Sequence, residues 1–247
     1  MTPPATPGNT VLGAVLITGA AKGLGRAMAL HLAAPGRHLI LHSRAPDGPS
    51  RAAAQAAGER GARVTLLHAD LARAEERERL MDGVAAATGT LGALINNAGV
   101  YRPTALADIT PAEWQEVFDA TCGAVFHLTQ RAVPLLKAGA PARVVNLGDS
   151  GADRIAARVQ ATHYHVAKLG VHALTRGFAK TLAPHGITVN QISPGFLENS
   201  VGAPGSPLPA GRLGTFADVL AALDYLLSPA AQYTSGANLI VSGGWNL

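Results

Sequence analysis

Two residues near the middle of the chain have the types and spacing of an acid–base pair. Tyr164 and Lys168 stand four residues apart, so a helix would place both side chains on one face. A phenol ordinarily ionises near pH ~10 and is a poor proton carrier at neutrality. A neighbouring ammonium stabilises the phenolate and brings the phenol toward the working range. The pair predicts proton donation to a carbonyl or imine as its carbon accepts a hydride.

A glycine-rich turn near the N-terminus supplies a second chemical signal. An apolar run that includes Val15–Thr18 leads into Gly19, Gly23 and Gly25, and an amphipathic stretch follows. Glycines let such a turn tighten, and the N-H groups and dipole of the helix start attract a pyrophosphate. The position between a strand and a helix is the context that makes this motif meaningful. We therefore expect a dinucleotide site formed by Gly19, Lys22, Gly23, Leu24 and Gly25.

Composition limits the classes of protein that this chain can belong to. It has 247 residues, of which 48% are hydrophobic and 15% charged, and a single cysteine. That length suits one α/β domain, and one cysteine excludes a disulfide framework or a cysteine-built metal site. No apolar run reaches the ~20 residues of a membrane span. We expect a disordered tail over 1–10, a single domain over 11–247 and a cytoplasmic protein that needs no metal.

The charge pattern argues against nucleic acid as a partner. The net charge is only +4, and aromatic residues make up 4% of the chain. The densest charged stretch, 73–79, mixes both signs instead of forming a basic stripe. Single-stranded nucleic acid needs a basic groove with stacking aromatics. We therefore expect a small-molecule substrate, and neither nucleic acid nor membrane as partner.

Short apolar runs alternate with longer amphipathic stretches along the whole chain. Continuously apolar strands of this kind belong in a parallel sheet covered on both faces, and their alternation with helices predicts a doubly wound α/β fold. Predicted strands are 11–18, 39–42, 64–68, 91–96, 143–147, 187–192 and 238–241. Predicted helices are 24–34, 50–60, 73–87, 111–137, 160–183 and 216–227. The Pro- and Gly-rich segment 198–214 reads as a mobile substrate loop.

Five motifs in order resemble the short-chain dehydrogenase/reductase family over residues 11–247. They are Thr18-Gly-x-x-x-Gly-x-Gly25, Asn96-Asn-Ala-Gly99, Tyr164-x-x-x-Lys168, Pro194-Gly195 and Ser242-Gly-Gly244. The resemblance implies a single Rossmann-like domain, a nicotinamide cofactor, hydride transfer and a homotetramer or dimer. It also implies that Lys168 holds the nicotinamide ribose. Further contacts implied for the cofactor are Asp70, Leu71, Asn97, Ala98, Gly99, Tyr164, Pro194 and Gly195.

The end of the second strand indicates which nicotinamide is used. An NAD enzyme would be expected to carry an acid there, bonding the ribose hydroxyls. This chain reads His42-Ser43-Arg44, and Asp47 falls in a turn where a local capping role is favoured. The Arg44 guanidinium can bond a 2′-phosphate in a planar fork, and Lys22 adds a second positive charge. The sequence predicts NADPH/NADP+, with Ser43 and Arg44 at the adenosine end.

Two positions depart from the pattern of the family. Seven residues after Trp114, where relatives place an Asn that supports a proton-relaying water, stands Thr121. The serine that usually orients the substrate carbonyl falls at Asp149 when counted from Asn146 and at Gly151 when counted back from Tyr164. Ser150 lies between them and is the preferred candidate. Asp149 is the alternative, and an Asp there resembles the pteridine reductases.

We expect an NADPH-dependent reductase of a carbonyl substrate. The C-terminal half resembles the 3-oxoacyl-carrier-protein reductase branch, through segments 211–215, 226–229 and 234–236. One alternative is a pteridine (dihydropterin) reductase, indicated by Asp149. The other is a non-catalytic NADP-binding protein, indicated by Thr121 and the displaced serine. Fold alone does not name the substrate.

Overall fold

A computed structural model describes residues 13–152, 155–200 and 207–245. The tail predicted over 1–10 lies outside these residues, as do the start of the first predicted strand and part of the predicted substrate loop.

Seven strands form one parallel sheet in the order β3-β2-β1-β4-β5-β6-β7. Every ladder is parallel, and the central strands β1, β4 and β5 are buried along their whole length. This confirms the fold class predicted from the apolar runs. The strands are β1 Ala14–Ile17, β2 His38–Ser43, β3 Arg63–His68, β4 Leu91–Asn96, β5 Ala142–Leu147, β6 Ile187–Pro194 and β7 Asn238–Val241.

Helices lie on both faces of the sheet, close to their predicted positions. They are α1 Gly23–Leu32, α2 Gly48–Gly58, α3 Ala74–Ala87, α4 Pro111–Phe118, α5 Ala124–Ala138, α6 Thr162–Leu182 and α7 Phe216–Leu227. The segment 111–137, which the sequence predicts to be helical, is helical but is divided into two α-helices. A five-residue π-helical turn, Asp119–Gly123, separates α4 from α5. Such a turn keeps the helical hydrogen-bonding pattern nearly continuous, so the apolar periodicity does not reveal it.

Two apolar layers hold the helices to the sheet. One layer packs α1 and α7 on the first face, through side chains such as Met28 and Leu223. The other packs α3, α5 and α6 on the opposite face, through side chains such as Leu80 and Leu128. Each fully buried side chain of this kind stabilises the fold by about 1.5–3 kcal/mol. Among the described residues, no helix is long and apolar enough to cross a membrane.

The sheet order reverses direction at β1. This strand pairs with β2 on one side and with β4 on the other, so the chain leaves it toward both edges of the sheet. Ligands of doubly wound sheets bind in the crevice beyond the carboxyl ends of the strands at such a switch point. The glycine turn follows β1 and the Asn97 segment follows β4, so both predicted motifs meet at this crevice.

Candidate active site

The glycine turn forms a tight cradle between β1 and α1. Gly19 and Gly23 have φ of +67° and +55°, values in the left-handed region that glycine adopts without strain. A Cβ on Gly25 would overlap the Gly19 carbonyl and the Asn97 side chain. Lys22 precedes α1 without a side-chain cap, and no acid stands in the first turn. The N-H groups at the start of α1 therefore suit an anion such as a pyrophosphate, while Leu24 packs against the core.

The segment after β4 is bonded to this cradle. The Asn97 side-chain amide donates to the Thr18 carbonyl at 2.8 Å and to the Gly19 carbonyl at 3.3 Å. The N-H groups of Asn97 and Ala98 both donate to the Thr18 hydroxyl at 3.0 Å. These bonds hold 97–99 beside the glycine turn, where the resemblance expected the wall of the cofactor cleft.

His42 is a cradle residue that sequence reasoning missed. Its ring is 3% exposed, Nδ1 accepts from the Gly19 N-H at 3.3 Å, and Nε2 donates to the Ala69 carbonyl at 3.0 Å. A carbonyl can only accept, so the two bonds fix the neutral ring with its proton on Nε2. Burial lowers the pKa of His42 to about 4, against an opposing contribution from the hydrogen bond to Ala69. His42 thus joins the glycine turn to the end of β3.

The adenosine end has basic side chains and no free acid at the end of β2. Lys22 and Arg44 are both exposed. The Ser43 hydroxyl is buried, where it donates to the Ala45 carbonyl at 3.0 Å and bonds to His68. Asp47 caps α2, accepting from the Ser50 N-H at 2.8 Å, as its turn context predicted. The exposed side chains of Lys22 and Arg44 therefore make this end of the cleft basic.

Asp70 and Leu71 follow β3 in a turn fixed by its own hydrogen bonds. The Asp70 N-H donates to Glu76 at 2.6 Å, and the Asp70 carboxylate accepts from the Ala72 N-H at 3.0 Å. Leu71 is buried in the core, and its carbonyl accepts from Arg77 at 2.6 Å. Asp70 itself is half-buried.

Tyr164 and Lys168 stand in the first two turns of α6. The Lys168 ammonium lies 5.6 Å from the centre of the Tyr164 ring and donates to the Leu147 carbonyl at 2.6 Å. Burial lowers the pKa of Lys168 to about 8, and the nearby Asp149 carboxylate opposes that shift. The helix thus presents a phenol and a buried ammonium together, as the spacing predicted.

Asp149 is the charged residue nearest in effect to the phenol. Its carboxylate acts on the Tyr164 hydroxyl and accepts from the Gly151 N-H at 2.6 Å. Burial raises the pKa of Tyr164 well above its usual value, and the negative charge of Asp149 raises it further. The Ser150 hydroxyl is buried and has no hydrogen-bond partner among the described residues. Asp149 and Ser150 both line the same cavity.

Thr121 lies in the π-helical turn and is buried beside the ammonium of Lys168. Its hydroxyl accepts from the Val100 N-H at 3.3 Å. A Cβ on Gly99 would lie 3.6 Å from that hydroxyl and 3.7 Å from the Lys168 ammonium. The structure thus brings Gly99, Thr121 and Lys168 together, with a threonine hydroxyl where the family resemblance implied an asparagine.

A cavity of about 410 Å³ opens over the Tyr164 phenol. Aromatic rings form its walls: Tyr101 meets Tyr164 edge-on with ring centres 5.0 Å apart, and Phe196 meets Trp245 edge-on at 4.9 Å. Arg158 enters from the loop before α6 and donates to the Gly151 carbonyl at 2.6 Å. Sequence reasoning missed Tyr101, Phe196 and Arg158 because they lie in irregular segments with no periodic signal.

The end of β6 brings the predicted substrate loop to this cavity. Pro194 pairs with Val241, and a Cβ on Gly195 would lie 2.9 Å from the Ser242 Cα. Residues 201–206 of the predicted loop lie outside the described residues. Its described ends are joined by the Glu198 N-H, which donates to the Gly214 carbonyl at 2.9 Å. Within the described ranges, no group of three His, Cys, Asp or Glu side chains has the geometry of a metal site.

The chain is similar in sequence and in fold to known oxidoreductases. Residues 19–246 match the family model described as enoyl-(acyl carrier protein) reductase. The chain is 30% identical over 238 residues to 3-oxoacyl-[acyl-carrier-protein] reductase FabG of Staphylococcus aureus (strain N315), covering 93% of this chain and 96% of that protein.

Two solved structures are similar over nearly the whole chain. A short-chain dehydrogenase/reductase from Serratia marcescens BCRC 10948 superposes with a TM-score of 0.87 at 26% identity, covering 96% of this chain and 99% of that one. A short chain dehydrogenase from Burkholderia cenocepacia J2315 in complex with NADP gives 0.86 at 29% identity, covering 95% and 98%. With its parallel sheet, glycine cradle and Tyr164–Lys168 pair, this chain belongs to the short-chain dehydrogenase/reductase family of oxidoreductases.

Proposed function

We propose that this protein is an NADPH-dependent reductase of a carbonyl compound, with Tyr164 as the proton donor. The observation that carries the proposal is that Tyr164 lines the cavity, with the Lys168 ammonium 5.6 Å from the centre of its ring. The similarity to 3-oxoacyl-[acyl-carrier-protein] reductases supports this reaction class.

The residues present fit NADPH. The start of α1 offers N-H groups to a pyrophosphate without a competing cap or acid. Lys22 and Arg44 are exposed basic side chains that could bond a 2′-phosphate, and the Asp47 carboxylate caps α2. The Burkholderia cenocepacia relative is described in complex with NADP. The other proposed cofactor contacts are Asp70, Leu71, Asn97, Ala98, Gly99, Pro194 and Gly195.

Residues of the chain itself carry out the proton transfer to the substrate. The bound nicotinamide supplies the hydride. Tyr164 donates its hydroxyl proton to the substrate oxygen, and the Lys168 ammonium stabilises the phenolate left behind. The Leu147 carbonyl holds that ammonium in place. We propose that Ser150 donates a second hydrogen bond to the same oxygen, because it lines the cavity and its buried hydroxyl has no partner among the described residues.

Asp149 favours a second candidate substrate, an oxidised pterin. A carboxylate beside the phenol would repel a substrate carbonyl oxygen, because that oxygen gains negative charge as the hydride is transferred. It is a good acceptor for the N-H groups of a nitrogen-rich ring. The aromatic rings of Tyr101, Phe196 and Trp245 line the same cavity and suit a planar ligand. Asp149 would then hold the ring while Tyr164 protonates a C=N nitrogen.

NADPH oxidation against a matched panel tests both candidates. The panel holds 3-oxoacyl thioesters, simple diketones and oxidised pterins, with NADH run beside NADPH. Turnover of thioesters or diketones supports the carbonyl reductase, and turnover confined to pterins replaces it with the second candidate. Tight NADPH binding with no turnover of any panel member would contradict both and favour a binding protein.

The assembly and location of the protein are also proposals. We propose a homotetramer, as the family resemblance implies, and a cytoplasmic location, as the single cysteine indicates. Light scattering coupled to size-exclusion chromatography gives the mass directly. A single species near the mass of one 25.2 kDa chain would contradict the tetramer.

A further inference from the structure

Four amide side chains form a row across adjacent strands of the sheet. Asn96 of β4, Asn146 of β5, Gln191 of β6 and Asn238 of β7 are consecutive register partners. The first three are at most 3% exposed. Such positions in a doubly wound sheet are normally apolar, and a buried amide without partners destabilises the fold. We call these four residues the amide row.

Hydrogen bonds connect the row and tie it to helix α6. Asn96 donates to Asn146 at 2.9 Å, and Asn146 donates to the Thr175 hydroxyl at 2.9 Å. The Thr175 hydroxyl donates its proton to the Val171 carbonyl at 2.8 Å, and its oxygen lies 3.4 Å from the Gln191 side-chain carbonyl. Thr175 lies on α6 seven residues after Lys168, two turns along the same face. The row therefore contacts the helix that carries Tyr164 and Lys168.

The amide of Gln191 also contacts the backbone just before Asp149. A Cβ on Gly148 would overlap both Gln191 Nε2 and the Ser193 hydroxyl. That amide is fixed in turn, since it donates to Ser193 at 2.8 Å and to Asn238 at 3.3 Å. Gly148 is flanked by Leu147, whose carbonyl holds the Lys168 ammonium, and by Asp149. Gln191 thus contacts both the segment that carries Asp149 and helix α6, which carries Tyr164 and Lys168.

We infer that Gln191 is a positioning residue that sets the separation between the Asp149 carboxylate and the Tyr164 phenol. One side chain contacts Gly148 on the Asp149 side and Thr175 on the Tyr164 side. Both contacts are buried, and the Gln191 amide is held by its hydrogen bonds to Ser193 and Asn238, so the side chain cannot move away from either contact without leaving an unpaired amide. The inference rests on the proposed function in so far as Tyr164 is the proton donor.

A neighbouring residue provides a matched control. Asn190 is 1% exposed, precedes Gln191 on β6 and points to the opposite face of the sheet. Its amide donates to the Thr234 carbonyl at 2.8 Å and accepts from the Ala237 N-H at 3.0 Å. Replacing it removes a buried amide of the same strand without touching Gly148 or Thr175. A merely structural role for Gln191 predicts that the two replacements behave alike.

The test compares Gln191→Ala and Asn190→Ala in the full-length protein with two readouts. The first is amide exchange of Gly151, whose N-H donates to the Asp149 carboxylate at 2.6 Å. It needs no substrate. The second is the pH profile of kcat with the panel substrate that the wild type reduces, together with the NADP+ dissociation constant.

We expect Gln191→Ala to speed Gly151 exchange and to lower kcat by about tenfold to a hundredfold. We also expect a shifted pH profile, with NADP+ affinity within about twofold of wild type because the cradle is untouched. Asn190→Ala should lower the free energy of unfolding but leave the exchange of Gly151 and the pH profile at their wild-type values.

The outcomes separate this inference from the proposed function. Unchanged Gly151 exchange in Gln191→Ala, or equal changes in both variants, overturns the inference. So does faster exchange with a wild-type pH profile and kcat. A wild type that reduces no panel substrate contradicts the proposed function, and the exchange comparison still decides whether Gln191 holds Asp149.

Discussion

The Asp149 carboxylate adds to the effect of burial in raising the pKa of the Tyr164 phenol, while the neighbouring Ser150 hydroxyl has no partner among the described residues. The negative charge opposes ionisation of the phenol, whereas the Lys168 ammonium favours it. The site therefore holds Tyr164 in its protonated form, ready to donate. Asp149 and Ser150 also distinguish the two candidate substrates. A carbonyl compound would use the Ser150 hydroxyl, whereas a pterin would use the Asp149 carboxylate.

Replacing each residue alone should reveal which one the substrate uses. We expect Ser150→Ala to lower kcat/KM about tenfold or more if a carbonyl is the substrate, since one hydrogen bond to the developing charge is lost. Asp149→Asn keeps the shape and removes the charge, so it should affect pterin reduction far more than ketone reduction. Steady-state kinetics on the matched panel give both values. Equal effects of the two variants on every substrate would contradict this division of roles.

The kcat of the reduction should fall as pH rises above about 8, where Lys168 loses its positive charge. Burial lowers its pKa to about 8 from an ordinary value near 10.5, so the ammonium is charged below that pH and neutral above it. The phenolate loses its stabilising charge as pH rises through that value, and kcat should fall. A pH profile of kcat measures this, and Lys168→Arg should move the limit to higher pH because a guanidinium stays charged. A wild-type rate that is flat from pH 7 to 10 would contradict the assignment.

Arg44 should decide the preference for NADPH. Arg44→Asp replaces a guanidinium by a carboxylate at the proposed 2′-phosphate position. We expect the NADPH dissociation constant to rise about tenfold or more, the equivalent of about 1.4 kcal/mol, as charge-assisted hydrogen bonds are worth at least that. NADH binding serves as the control and should weaken less or improve. An unchanged NADPH dissociation constant, measured by fluorescence titration, would refute the contact.

His42 should make stability fall in mild acid. The folded protein holds its pKa at about 4, below the ordinary value of 6.5, so between these two values the unfolded chain binds more protons. Stability therefore decreases as pH falls from about 6.5 to 4, by up to about 3 kcal/mol. Denaturant unfolding at several pH values measures the slope. His42→Asn, whose amide does not titrate, should flatten it, and an equally steep slope in that variant would exclude His42 as the cause.

Most of the fold could be predicted from the sequence because buried parallel strands are continuous apolar runs. Six of the seven predicted strands lie within the strands of the structure, and β1 lies within the seventh. The helix break at Asp119–Gly123 was not predictable, since a π-helical turn leaves the apolar periodicity almost intact. The ends of β6 and α6 shifted by only one or two residues, a normal uncertainty at element termini.

The candidate site was predictable where spacing within one element fixes geometry. Tyr164 and Lys168 share one helix, so their contact followed from the sequence. Asp149 and Ser150 precede a long loop. Counting forward from Asn146 and back from Tyr164 leads to different residues, so the sequence alone does not show that the Asp149 carboxylate acts on the phenol. His42 and Gln191 lie inside strands that are otherwise mostly apolar. Most of their hydrogen-bond partners lie in distant segments of the chain, so the sequence does not show what these polar side chains bind.

The most direct measurement is single-turnover NADPH oxidation by wild type and by Tyr164→Phe, at saturating NADPH with the panel substrate that the wild type reduces best. The variant lacks only the phenolic hydroxyl, so cofactor binding provides the control for folding. We predict that Tyr164→Phe binds NADPH with a dissociation constant within about twofold of wild type and loses at least about 10²-fold in rate, the usual worth of a positioned general acid. Wild-type oxidation by a variant that binds NADPH normally would contradict the account.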